Sequence, residues 1–385
     1  MITAKLHQQM VAWRHDFHAH PELGFEESRT AGRVAALLDS FGLKVHRGLG
    51  GTGVVGVLQK GTGTRSIGIR ADLDALPVTE TNAFPYASKH SGAMHACGHD
   101  GHTAMLLGAV NYLVENGDFD GTAHFIFQPN EEHGLGASAM IRDGLFERCG
   151  IDEIFALHNI PGMAVGTFAT RAGPITASES LFEIDIHARG GHAALPHMGV
   201  DAILVGAQII GALQSIVARK LNPALNGVVS VTEFHSDGKR NILPGRATLR
   251  GDARALTADT NAVIEACMRQ IVEGICSAHG VNADIRYETV FPAVINAPEQ
   301  ARAAARAAAA LAGRECVDGS CEAKLFADDF AHLAAACPGC YVLMGNGTEG
   351  CNAQPLHGAG YDFNDAALVP GSSFWARLVE QQLAT

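Results

Sequence analysis

"SLFEIDIHA" at residues 180–188, followed by "GVDAILVGAQIIGALQSIVARK" at 199–220, marks a change of period in this chain. In the first stretch apolar and polar residues alternate, as in a strand with one face in a core and one in water. The second is long and largely apolar, and it reads as a helix. The stretches "GVVSVTEFHS" (227–236) and "RATLRGDARAL" (246–256) read as strands, "DTNAVIEACMRQIVEGICSAHG" (259–280) as a helix, and "NADIRYETV" (282–290) as a strand again. This β-α-β-β-α-β order predicts a ferredoxin-like unit.

Outward from that unit the pattern differs. "SRTAGRVAALLDSFG" (28–42) reads as an amphipathic helix ending at Gly42, and "TGVVGVLQ" (52–59) and "RSIGIRADLD" (65–74) as strands. "DGHTAMLLGAVNYLVEN" (100–116) reads as a helix, "TAHFIFQ" (122–128) and "EIFALH" (153–158) as buried strands. An alanine-rich helix (299–313), a strand "CYVLMG" (340–345) and a last helix (365–383) follow the unit. Strand and helix in turn predict an α/β sheet with helices on both faces. The expected organisation is one α/β domain over 1–177 and 291–385, with the ferredoxin-like domain inserted over 178–290.

Size and composition agree with two domains. The chain has 385 residues, long for one core, and 47% of them are hydrophobic. A net charge of -12 argues against a nucleic-acid partner, which would want a basic patch. Nine cysteines, few and scattered, do not make the framework of a small secreted domain. The first residues, "MITAKLHQQMVAWRHDFHAH", have no apolar run of the signal-peptide kind. Apolar runs such as "AILVGAQIIGAL" read as too short to span a bilayer. The expectation is a cytoplasmic protein with no membrane partner and with its cysteines as thiols.

The chemistry gathers in "MHACGHDGH" (94–102), with three histidines, Cys97 and Asp100 in nine positions. Other metal-loving side chains are expected in loops just after strands: Asp72 and Asp74, Glu131 and Glu132 in "QPNEEHG", His158 in "ALHN", and His357 in "QPLHGAGYDF". In open α/β sheets the carboxyl ends of strands line one crevice, so these loops could meet. Each residue alone has an ordinary reading. Paired glutamates are usually solvated, a histidine after an apolar strand is usually a hydrogen-bonded core residue, and an aspartate often caps a turn. Together, all at strand ends, they point to zinc, manganese, cobalt or nickel. A thiolate can bridge two such ions, and two ions can clamp a hydrolytic water and a substrate oxygen. Adjacent glutamates can divide labour, one binding metal and one remaining a base. His18, His20 and Glu22 in "HAHPELGFEE" read as structural.

The ordered motifs "RHDFHAHPELGFEE", "RADLDALP", "HACGHDGHTAMLLG", "QPNEE", "ALHN", "GGHAALPH", "RNILPG" and "PLHGAGYDFND" resemble those of bacterial N-acyl-amino-acid amidohydrolases, hippurate hydrolases among them. These belong to the aminoacylase and carboxypeptidase superfamily of dinuclear metallopeptidases. The resemblance covers essentially the whole chain. It implies a zinc-peptidase-like α/β catalytic domain, with the inserted domain as a lid that also pairs two chains into a homodimer. It implies two divalent ions per chain, held by Cys97, His99, Glu132, His158 and His357, with Glu131 as general base and Asp74 orienting a ligand from behind. His192 in "GGHAALPH" matches a lid histidine that reaches the active site, and Asn241 and Arg254 match lid positions that could face substrate. Arg254 is the candidate cation for the substrate carboxylate.

The implied reaction is hydrolysis of an N-acyl amino acid, of N-acetyl or N-benzoyl type, to a carboxylate and a free amino acid. A metallo-dipeptidase or carboxypeptidase with the same centre is the alternative. A non-catalytic binding protein on the same fold would be expected to have lost the base or a ligand, and all six residues are present. The chain departs from its relatives in three places. Asp328 in "ADDF" stands where they commonly carry glutamate. Glu179 and Ser180 stand where many place one small and one acidic residue. Gly358 replaces the asparagine that often follows the last ligand histidine.

Overall fold

The computed structural model describes residues 2–384, and the chain divides into two compact units. The first comprises Met1–Ile175, Val294–Glu322 and Asp328–Thr385, and the second Thr176–Ala293 and Ala323–Ala327.

The first unit is built on an eight-stranded mixed sheet. Its centre is four parallel neighbours in the order Gly121–Gln128, Ser66–Asp72, Glu153–Pro161, Gly339–Gly347. Every residue of Ser66–Asp72 and of Gly339–Gly347 is buried, as in a parallel sheet covered on both faces. Antiparallel strands Gly53–Lys60 and Lys44–Leu49 extend one side. The segment Lys44–Leu49 was not foreseen in the sequence, and its mixed burial shows why: it is a polar outer strand with no apolar run.

Helices Ala4–His18, His99–Asn116 and Leu368–Gln382 pack on one another and share the main core with the sheet. The alanine-rich helix Pro298–Ala312 buries Ala301, Ala304, Ala307 and Ala308 on one face. Its short side chains allow close approach to Leu368–Gln382 and to the strand Gly339–Gly347. Its low complexity is therefore a packing feature of a strong helix former.

The second unit is a four-stranded antiparallel sheet in the order Gly227–Ser236, Arg246–Ala255, Ser178–His187, Asn282–Phe291. Helices Ala202–Ser215 and Ala258–His279 cover it. Phe182, Ile184 and Ile186, which alternate with polar residues in the strand, meet Val205, Ile209 and Leu213 in one apolar cluster. Asp201 caps the first helix by accepting the N–H groups of Ile203 and Leu204, and Thr257 caps the second, contacts typically worth about 1 kcal/mol each.

Two expectations need correction. The short segment Ala323–Ala327 belongs to this second unit, because Thr176 bridges to Lys324 and the Ala177 N–H donates to Phe326 O at 3.1 Å. The apolar run that reads as too short to span a bilayer is also part of the longer helix read over 199–220. A π turn over Ile216–Lys220 continues the helix, and Ala202–Lys220, 19 residues, is long and apolar enough by composition to cross a membrane. Within its unit its buried positions form the layer that packs on the sheet.

Candidate metal centre

The four parallel strands of the first unit end along one edge, and the site is assembled there. Ser66–Asp72 leads to Asp74, and Gly121–Gln128 leads to Glu131 and Glu132. His158 lies inside the strand Glu153–Pro161, not in a loop after it, and His357 lies in the long connection after Gly339–Gly347. Cys97 precedes the helix His99–Asn116, whose cap Gly98 has φ +93, a left-handed conformation that glycine adopts without strain. Among the described residues only Phe25, Asn130 and His357 are non-glycine residues with positive φ. Asn130 turns the chain into Glu131, so two of the three fall at the site, where such conformations tend to concentrate.

The sequence-predicted residues of this unit come together. The ligand atoms of Cys97, His99 and His158 lie within 4.8 Å of one another, as do those of Cys97, Glu132 and His357, and those of His99, Glu131 and Glu132. Cys97 Sγ is 3.3 Å from His158 Nε2. Glu132 lies 3.8 Å from His99 Nε2 through one oxygen and 3.5 Å from His357 Nε2 through the other.

Neighbouring groups set the direction of each donor. His158 Nδ1 is 2.8 Å from the Asn159 carbonyl oxygen, which can only accept, so the lone pair of His158 is on Nε2, facing Cys97. His99 Nδ1 is 2.9 Å from the Asp74 carbonyl oxygen and 3.2 Å from its carboxylate, which likewise leaves the lone pair on Nε2. The other Asp74 carboxylate oxygen accepts the Glu132 N–H at 3.0 Å. His99 Nε2 and Glu132 Oε1 are then buried without a hydrogen-bond partner. Orphaned polar atoms of this kind cost free energy, and a divalent cation between them satisfies both. The thiol, imidazoles and carboxylates are also the donor set such an ion takes. The residues fit a divalent metal.

Charge is unbalanced in this pocket. Burial, then Glu132 and Glu131, push the Cys97 thiol well above its usual range. Burial, then Asp328 and Glu132, push the Glu131 carboxyl well up, with Arg70 opposing. Burial also opposes charge on His99, but Asp72 and Asp74 outweigh it and raise its pKa to about 10. Divalent charge would relieve the crowded anions and favour the thiolate.

The buried Arg70 and His102 escaped the sequence reading. Arg70 donates through Nε to Gln128 at 2.9 Å and through Nη1 to Asp72 at 2.7 Å, and its Nη2 lies 3.2 Å from Asp328 and 3.0 Å from Asp329. Asp328, the departure from glutamate, also accepts the Tyr341 hydroxyl at 2.7 Å and sits with Asp329 beside Glu131. His102 meets Asp72 and Asn159. Only its place in the same histidine-rich stretch could have flagged it. His18 Nδ1 is 2.8 Å from Asp100 and its Nε2 is 3.1 Å from Glu80, while Glu22 accepts the N–H groups of Arg29 and Thr30. His20 Nδ1 lies 2.9 Å from the Asp16 carbonyl oxygen.

The remaining candidates lie in the second unit. His192 pairs in register with Ile242 in a two-residue ribbon, next to Asn241, whose carbonyl accepts the Ala193 N–H at 3.1 Å. His192 Nδ1 accepts the Ala194 N–H at 3.1 Å, so its proton sits on the exposed Nε2. Arg254, the candidate for the substrate carboxylate, is held by two acidic neighbours. It stands opposite Glu179 in the sheet and pairs with it at 2.7 Å and with Asp252 at 2.9 Å. The departure at Glu179 thus supplies the counter-charge of Arg254.

Known proteins carry the same architecture. Hippurate hydrolase of Campylobacter jejuni is 38% identical over 96% of this chain and 95% of its own length. Thermostable carboxypeptidase 2 of Saccharolobus solfataricus is 36% identical over 94% of this chain and 92% of its own. The crystal structure of the Bacillus subtilis YXEP protein, a dinuclear metal-binding peptidase of the M20 family, superposes with a TM-score of 0.87 at 31% identity, covering 100% of both chains. The profile of peptidase family M20/M25/M40 matches residues 68–381, and the chain belongs to that family.

Proposed function

We propose that this protein is a metal-dependent amidohydrolase that cleaves the amide of N-acyl amino acids, of N-acetyl or N-benzoyl type, and that it uses two divalent ions per chain, zinc, manganese, cobalt or nickel. The carrying observation is that Cys97 belongs to two ligand groups at once, one with His99 and His158 and one with Glu132 and His357. Were ions bound, the Cys97 thiolate would be a donor common to both groups. The hippurate hydrolase relative supports the substrate class.

Bound ions would supply Lewis acidity, polarising the amide carbonyl and lowering the pKa of the attacking water. The protein's own groups do the rest. Glu131, buried beside His99 and Glu132, takes the water's proton and returns it to the leaving nitrogen. Asp74 holds His99 and the Glu132 backbone in place. His192, with its proton on Nε2, is the donor to the developing oxyanion when the inserted unit closes as a lid. Asn241 and Arg254 are the substrate-binding candidates of the inserted unit, Arg254 for the substrate carboxylate, with Glu179 and Asp252 holding its guanidinium.

Pairing of two chains through the inserted unit is supported by its edge strand Gly227–Ser236 and by the exposed Ile203 and Leu204 on its first helix. The cysteines form no disulfide framework among the described residues, which suits the cytoplasm. The carboxypeptidase relative favours one second reading, cleavage of dipeptides or peptide C-termini by the same centre. Turnover of N-benzoyl, N-acetyl and dipeptide substrates, by protein stripped of metal and reloaded with each ion, separates the two. Preferred cleavage of the N-acyl amino acids is expected, and preferred cleavage of the dipeptides contradicts the first reading.

A further inference from the structure

Asn159 follows the candidate ligand His158 and is fully buried. Its contacts reach every segment that brings a candidate ligand from elsewhere in the chain, save the one carrying Glu132. Its carbonyl oxygen accepts the Nδ1 proton of His158 at 2.8 Å. Its backbone N–H donates to His102 Nε2 at 3.1 Å, and its carboxamide oxygen lies 2.7 Å from the same nitrogen. The carboxamide nitrogen donates to the Tyr361 hydroxyl at 2.5 Å. Rotating the amide by half a turn keeps both side-chain contacts, with donor and acceptor exchanged.

Each partner leads to a ligand. His102 lies one helical turn after His99 and is itself fixed by Asp72, 2.7 Å from Nδ1. Tyr361 lies four residues after His357, in the same connection. The Asn159 carboxamide and the Tyr361 hydroxyl also fill the space that a side chain at Gly98 would need, directly between Cys97 and His99. The small residue of the Cys-Gly-His turn therefore serves two ends: it permits the left-handed cap and it admits the amide.

We propose that Asn159 is a positioning residue for the metal centre. It touches neither ion nor substrate. It ties the Cys97–His99 turn, His158 and the His357 connection to one another, so that the ligands stand at a common spacing before metal arrives. Without that tie, ordering these segments becomes a cost of metal binding. The inference rests on the reading of Cys97, His99, His158 and His357 as ligands.

The test uses the full chain as wild type, Asn159→Ala, Tyr361→Phe and the double variant, each stripped by chelator and titrated with Co²⁺. Affinity, the visible and thiolate charge-transfer bands, and the melting temperature of the metal-free protein are read. Partners behind metal ligands typically contribute 10–100-fold in affinity. The proposal predicts a loss in that range for Asn159→Ala with altered Co²⁺ bands, a smaller loss for Tyr361→Phe, and a double variant close to Asn159→Ala alone, because both act through one contact. A packing role lowers the metal-free melting temperature and leaves affinity and bands at wild-type values, and that result overturns the proposal. Should Asn159→Ala fail to fold, Tyr361→Phe decides, with wild-type affinity and bands counting against. A wild-type protein that binds no Co²⁺ sinks the metal-centre reading itself, whereas equal binding by all four proteins sinks only the role of Asn159.

Discussion

Asp74 directs both halves of its carboxylate at neighbouring candidate ligands, with one oxygen 3.2 Å from His99 Nδ1 and the other accepting the Glu132 N–H at 3.0 Å. One side chain thus fixes the tautomer of a histidine and the backbone that carries a glutamate. Asp74→Ala should weaken metal binding by about 10–100-fold. Titration calorimetry on the stripped protein checks this, and wild-type affinity in the variant would remove Asp74 from the account.

Arg70 is the buried cation among Asp72, Asp328 and Asp329. Removing one partner of a buried ion cluster leaves uncompensated charge and typically costs about 3–5 kcal/mol. Arg70→Met is expected to lose stability on that scale by denaturant unfolding. A loss below about 1 kcal/mol, the scale of exposed ion pairs, would show that the cluster is not held by this guanidinium.

His18 gives a pH dependence outside the group of candidate ligands. Burial opposes its charge, but Asp100 and Glu80 outweigh burial and raise its pKa to about 9, from an ordinary value of 6.5. A folded-state pKa above the unfolded one means that the charged form stabilises the fold. That contribution is complete below pH 6.5 and fades as the pH rises through about 9. In metal-free protein, His18→Gln should lower the melting temperature more at pH 6 than at pH 10, and equal losses at both would contradict the assignment.

His192 is proposed to act only when the lid closes over substrate. His192→Ala should lower kcat by about a hundred- to thousand-fold, the usual effect of losing an oxyanion donor. Metal content and melting temperature should stay near wild type, since the lost contact exists mainly in the transition state. A fully active variant ends the lid-donor idea. If the histidine serves the partner chain's site, mixing His192→Ala with Glu131→Gln protein should restore some activity through heterodimers.

Much of the fold was readable because its signals are local. Alternation in "SLFEIDIHA" and the strand and helix order after it announced the inserted unit, and strand and helix in turn announced the α/β sheet. The candidate ligands were readable because each stands in a short motif, His158 inside a strand, Glu132 just beyond one, and Cys97 and His99 at the start of a helix. What stayed hidden depends on side chains meeting across long stretches of chain. Nothing near Arg70 announces that Asp328 and Asp329 will surround it, and nothing in "ALHN" announces that Asn159 reaches Tyr361. The pairing of Arg254 with Glu179 was hidden for the same reason, since it requires the register of two strands far apart in sequence. The outer strand Lys44–Leu49 lacked the apolar pattern that betrays its neighbours.

The adjacent glutamates are proposed to divide the work, Glu131 moving the proton and Glu132 helping to hold metal. This division is tested most directly by the turnover of an N-acyl amino acid by Glu131→Gln protein with its metal content measured in the same sample. The account predicts wild-type metal content with at least a hundred-fold loss of kcat, in the range that general-base catalysis contributes, because an amide cannot accept the water's proton. Near-normal kcat at full metal content would contradict it.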